Sequence, residues 1–112
     1  MQRIIDRLAL VAALVFAATT HAEEIFDLER LQQYFSQPDK RQAYEYASAY
    51  REVYEGDPYF DYYYGVAAID SGKVSEGVFA LERVLIAFPD DPVATLELAR
   101  GYYILEEYSR AR

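Results

Sequence analysis

The chain has 112 residues, enough for one domain of ordinary size and too few for two. Apolar residues make up 53% and aromatics 16%, so a packed core is within reach and intrinsic disorder is not expected. A net charge of −8 argues against a nucleic-acid backbone or an anionic lipid surface as partner, and the lack of cysteine removes disulfides, thiol nucleophiles and zinc–thiolate sites.

Residues 1–22 read as a secretory signal peptide helix rather than as part of the fold. Arg3 and Arg7 supply a basic start, Leu8 to Ala18 is an unbroken apolar run, and Thr20 and Ala22 stand where a cleavage site needs small residues. Eleven apolar residues are too few to span a bilayer, which needs about 20, so a retained anchor is the weaker alternative. Cleavage after Ala22 leaves 9 basic and 18 acidic residues, removes His21, the only histidine, and places the mature chain in a periplasm or outside the cell. No membrane span remains in residues 23–112, which form the expected folded domain.

The next segment, "EIFDLERLQQYF", puts Ile25, Leu28, Leu31 and Phe35 on one helical face. "KRQAYEYASAYREVYEG" predicts one continuous helix, with Pro38 before it and Gly56 after it. A helix from Pro58 to Ile69 follows and is stopped at Gly72; a further one runs from Val74 to Ala87 and is stopped by Pro89. After Pro92, "VATLELARGYYILEE" predicts another helix, with Ser109 as the cap of its successor. No stretch alternates with a period of two, so the fold class is all-α.

A period of 34 residues runs through these elements. Asp57-Pro58 recurs as Asp91-Pro92, each an aspartate cap followed by a proline suited to the first helical turn. In the same register Tyr64 matches Leu98, Gly65 matches Ala99, and Gly77 matches Ala43 and Ala111. With "LERVLIAFPDDP" and the small residues Gly65, Gly72 and Gly77, the chain resembles the tetratricopeptide repeat family. That resemblance implies antiparallel helix pairs stacked as a short right-handed solenoid, serving protein–protein interaction. The chain departs from the family pattern at Asp61 and Thr95, where an aromatic is usual, and at Glu106, the counterpart of Gly72. "PVATLELARGYYILEEYSRAR" is similar to the N-terminal repeat region of outer-membrane β-barrel proteins such as the surface lipoprotein assembly modifiers. The alternative function this implies is the periplasmic part of a secretion or assembly barrel.

"DPYFDYYYG" crowds four tyrosines and a phenylalanine around the start of one helix. Most of this ring surface is expected to pack between units, because each unit buries its apolar face only against a neighbour. The resemblance implies that one stripe of the first helices lines a concave surface. Its residues here are Tyr59, Tyr62, Val66, Ile69 and Asp70, then Val93, Leu96, Arg100 and Tyr103. Such a groove suits a protein or peptide partner.

Catalysis finds little support. Without histidine or cysteine after cleavage, histidine-based triads and ordinary transition-metal sites are excluded, and neither a calcium loop nor a phosphate loop is present, so no cofactor is expected. A carboxylate hydrolase remains as the third reading, with Glu23-Glu24, Asp90-Asp91 and Glu106-Glu107 as candidate acids, although adjacent residues on a helix point apart. The last predicted helix lacks a partner helix. Leu96, Leu98 and Tyr102 are therefore expected to be poorly covered, which suggests either a longer protein or self-association through that face.

Overall fold

The computed structural model describes residues 25–111; the signal-peptide segment expected over residues 1–22 lies outside them. The described residues form six helices and no strand. These are α1 (Leu28–Phe35), α2 (Arg41–Ser48), α3 (Arg51–Tyr54), α4 (Pro58–Asp70), α5 (Val74–Ala87) and α6 (Pro92–Arg110). Each of α1, α2, α5 and α6 packs directly on α4.

Local chemistry explains the ends of these helices. Asp27, Asp57 and Asp91 each accept hydrogen bonds from two backbone N–H groups of the turn they precede, satisfying donors that a helix start otherwise leaves free. Pro58 and Pro92 follow two of these caps at no cost, since their missing N–H has no partner in a first turn. Helix α4 stops in a Schellman arrangement. Gly72 takes φ +85°, its N–H bonds the Ile69 carbonyl at 3.1 Å, and the Lys73 N–H bonds the Ala68 carbonyl at 2.8 Å.

Two boundaries differ from those expected. The continuous helix over "KRQAYEYASAYREVYEG" is instead α2 and α3, interrupted at Ala49 and Tyr50. The break brings Tyr54 to 4.6 Å from the Phe26 ring and 5.9 Å from Phe60, while Tyr50 packs 5.2 Å from Phe26. Aromatic packing here outweighs the hydrogen bonds of an unbroken helix. Helix α6 also runs through Ser109, which is therefore not a cap. Glu106 stands where α4 has its terminating glycine, and with Glu107 it pairs with Arg110 across the last turn.

Helix α4 is central and buries residues around most of its circumference, from Phe60 and Asp61 through Tyr64 to Ile69. One side joins an aromatic core with Leu31, Ala43, Ala47 and the rings of Phe26, Tyr44 and Tyr54. The other joins an aliphatic core with Val74, Val78, Leu81 and Leu98. Leu98, expected to be uncovered, thus lies inside; of that trio only Leu96 and Tyr102 face solvent.

Three glycines set how closely the helices approach. A methyl group on Gly77 would overlap the Gly65 carbonyl oxygen and come within 2.5 Å of Ile69 Cγ1. One on Gly101 would lie 2.8 Å from Val78 Cγ2. Backbone therefore meets backbone between α4 and α5, and α6 closes onto the same spot. Beyond this crossing, Arg83 of α5 forks onto Asp61 of α4, with Nε and Nη2 each 3.1 Å from a carboxylate oxygen. Asp61 is 0% exposed, and its Oδ2 also accepts the Gly56 N–H at 3.1 Å, so the carboxylate ties together three segments.

Gly77→Ala should lower stability by about 2–3 kcal/mol, because backbone has no room to yield. Gly65→Ala, whose nearest contact would be the Leu81 side chain at 3.0 Å, should cost less; urea unfolding followed by circular dichroism ranks the two. Asp61→Ala should cost about 2–3 kcal/mol in the same assay, since it removes the acceptor of the Gly56 N–H and leaves Arg83 only its longer contact to Glu55 at 3.4 Å. A loss under 1 kcal/mol would mean that this carboxylate is not the tie described.

Candidate binding cavity

The N-terminal turns of α4, the end of α5 and the start of α6 enclose a cavity of about 260 Å³. Its walls are the rings of Tyr59, Tyr62, Tyr63 and Phe88 with the aliphatic side chains of Val84 and Val93. Asp91 contributes the charged lining residue, its Oδ1 held by the N–H groups of Val93 and Ala94.

The rings are positioned from several elements. Tyr59 sits 6.1 Å from Phe88, which leaves the α5 helix just before Pro89. Tyr62 and Tyr63 lie edge to face at 5.5 Å, and both pack against Phe35 of α1. Gln32 donates to the Tyr63 hydroxyl at 3.1 Å. Burial, then the nearby Glu97, Tyr63 and Asp91, pushes the Tyr62 hydroxyl pKa above its ordinary value.

The nine groove residues expected from sequence divide into three groups. Tyr59, Tyr62 and Val93 line the cavity. Val66 and Ile69 do not: each is 4% exposed and packed among Val78, Leu81 and Leu98, because α6 covers the stripe expected to stay open. The rest lie further along α6 and at the far end of α4. Arg100 bridges Asp70 at 2.8 Å and Glu97 at 2.7 Å, while Leu96 and Tyr103 are 69% and 64% exposed. Pro58, Tyr63, Val84, Phe88 and Asp91 were missed as lining residues. Phe88 has the helical spacing of a core residue, and only its departure from the helix turns it outward.

Other recesses offer less. One of about 570 Å³ beside the α1–α2 loop is walled by Gln37, Pro38, Asp39, Arg41, Gln42 and Glu45, with Asp39 and Arg41 paired to each other at 2.7 Å. Its polar walls gain little from excluding water. Another, about 210 Å³, has Glu55 and Glu76 among its walls together with Arg51 and Arg83, and Glu55 is paired to Arg83. Glu76, however, accepts the hydroxyls of Tyr64 at 2.7 Å and Tyr44 at 2.8 Å, and these donors hold its pKa below the ordinary value. A general acid needs the opposite shift. Burial pushes the Tyr64 hydroxyl up to about 12, so it stays a donor at any ordinary pH.

Of the expected acid pairs, Glu23-Glu24 lies outside the described residues. Asp91 caps α6, and Glu106 and Glu107 bind Arg110. No cluster of three metal-ligating side chains occurs among the described residues, and none of their helices is long and apolar enough to cross a membrane. Comparison of the chain with protein families, curated proteins and solved structures finds no match.

The Tyr–Glu76 bonds make stability depend on pH. Because the folded-state pKa of Glu76 is depressed, its contribution is fully present above the ordinary value of 4.5 and is lost as pH falls through the lower folded value. Glu76→Gln should be less stable than the parent at pH 7 and should show a shallower fall in urea midpoint between roughly pH 5 and pH 3. Parallel curves for the two proteins would refute the linkage.

Proposed function

We propose that this chain is a tetratricopeptide-type module, built of antiparallel helix pairs in a short right-handed solenoid. It is exported to the periplasm and binds another protein or peptide there, with no bond made or broken. The observation that carries this reading is the aromatic-lined cavity where two equivalent helix starts meet. Asp57-Pro58 and Asp91-Pro92 cap α4 and α6 in the same way, 34 residues apart, and α6 contacts α4 as well as the intervening α5.

The chemistry of the walls supports binding rather than turnover. Flat, rigid rings give large contact area at small entropic cost, and tyrosine hydroxyls keep such a surface compatible with water. Tyr59, 66% exposed, is the anchor most available to a partner. The exposed side chains of Val93, Leu96 and Tyr103 continue the surface along α6 over about 15 Å, a span suited to an extended segment.

The test is site-specific photocrosslinking in a Gram-negative host producing the full chain. A crosslinker at position 59 or 93 should give discrete protein adducts in the periplasmic fraction, on a mature chain beginning at Glu23. One at exposed Glu52, on α3, should give none. Equal labelling from all three positions, or adducts only in the cytoplasm, would overturn the proposal.

A further inference from the structure

We infer that the cavity between α4, the end of α5 and the start of α6 is a cation-recognising aromatic pocket that takes one Lys or Arg side chain of an extended peptide. The inference rests on the reading of the chain as a peptide-binding module and adds the chemical class of its ligand. Four rings, Tyr59, Tyr62, Tyr63 and Phe88, supply the walls, and the electron-rich faces of such rings attract ammonium and guanidinium groups. The adjacent rings are inclined to each other, by 60° for Tyr59 and Phe88 and 73° for Tyr62 and Tyr63, so neither pair is spent on flat mutual stacking. At about 260 Å³ the space suits one long side chain rather than a larger metabolite.

The formal charge lining the cavity is negative. Asp91 lines it, and Asp57 and Asp90 adjoin its lining residues Pro58 and Asp91 in the chain. Helix α5 ends there with its carbonyl-rich, partially negative terminus and no basic residue in the last turn. The cation on the neighbouring face of α6, Arg100, is held between Asp70 and Glu97. None of the lining side chains carries positive charge, and the partial positive charge of the α4 and α6 helix starts is answered by Asp57 and Asp91, which accept their first free N–H groups.

The protein already makes this type of contact next door. Lys40 Nζ lies 4.7 Å above the Phe35 ring, and Phe35 packs against Tyr62 and Tyr63, two walls of the cavity. A peptide source for the cation, rather than a free small molecule, is favoured by the exposed Val93 and Leu96, which offer apolar contact to residues flanking the charged one.

The experiment is a titration of the full mature chain, followed by 1H–15N correlation spectra, with capped heptapeptides Gly-Ser-Leu-Xaa-Leu-Ser-Gly. Xaa is Arg, Lys, citrulline or Glu, and tetramethylammonium chloride is a separate arm. The Arg and Lys peptides should shift the signals of residues 59, 62, 63, 88 and 93. Citrulline should weaken binding at least tenfold, and raising NaCl from 50 to 300 mM should weaken the Arg peptide several-fold. Tyr59→Leu, at an exposed position, should fold normally and lose most of the difference between Arg and citrulline.

Equal binding of citrulline and Arg would make the pocket simply apolar, overturning the cation assignment while leaving the binding module intact. Binding of tetramethylammonium without the peptides would overturn the peptide source. Absence of all binding, beside periplasmic crosslinks from position 59, would overturn the ligand class alone. Absence of both would remove the module reading as well.

Discussion

The arrangement depends first on the missing side chains of Gly65 and Gly77. Where α4 and α5 cross, the backbone of one lies against the backbone of the other, and a single methyl group on Gly77 would collide with the Gly65 carbonyl and with Ile69. Close approach at that point brings Val78 and Leu81 onto Val66 and Ile69, and Gly101 lets α6 settle onto the same residues. The aliphatic core is a consequence of this crossing. Dispersion contacts fall off steeply with separation, so helices held an ångström further apart would lose much of that packing.

Beyond the crossing, polar groups take over. Asp61 is buried among rings, and its carboxylate is satisfied by the Arg83 fork and the Gly56 N–H, which fixes the turn before α4 relative to the far half of α5. Glu76 performs a similar task on the aromatic side by gathering the hydroxyls of Tyr44 and Tyr64. A buried carboxylate such as Asp61 costs desolvation, and its hydrogen bonds offset it. Glu76 thereby places two rings in one orientation, which apolar contact alone would leave loosely defined.

The tyrosine-rich start of α4 thereby serves two purposes. Phe60 and Tyr64 turn into the aromatic core, 5.9 Å apart and nearly parallel. Tyr59 and Tyr62, with Tyr63 at the edge of that core, face the cavity, where the end of α5 and the start of α6 supply Phe88, Val84 and Val93. The cavity is thus a product of the packing. It lies where three helix ends meet, and its acidic character follows from aspartates already needed as caps.

The sequence by itself determined the helical class, the starts of α4 and α6, the Schellman stop at Gly72 and the end of α5 before Pro89. Those signals act within one turn of chain: an aspartate reaches two residues ahead, a proline removes one N–H, and a glycine takes a positive φ. Tyr59, Tyr62 and Val93 were named as groove candidates through the family resemblance, and the packing places them at the cavity. Only the tertiary structure decided that Val66 and Ile69 are covered, that Asp61 is an interior ion pair, and that the chain breaks at Tyr50 yet continues helically through Ser109. Each of these outcomes depends on a partner many residues away: α6 lies over Ile69, Arg83 meets Asp61, and Phe26 receives Tyr50 and Tyr54. Helical spacing says which residues share a face; which faces become covered is set by the distances between helices, and here those follow from glycines that must meet.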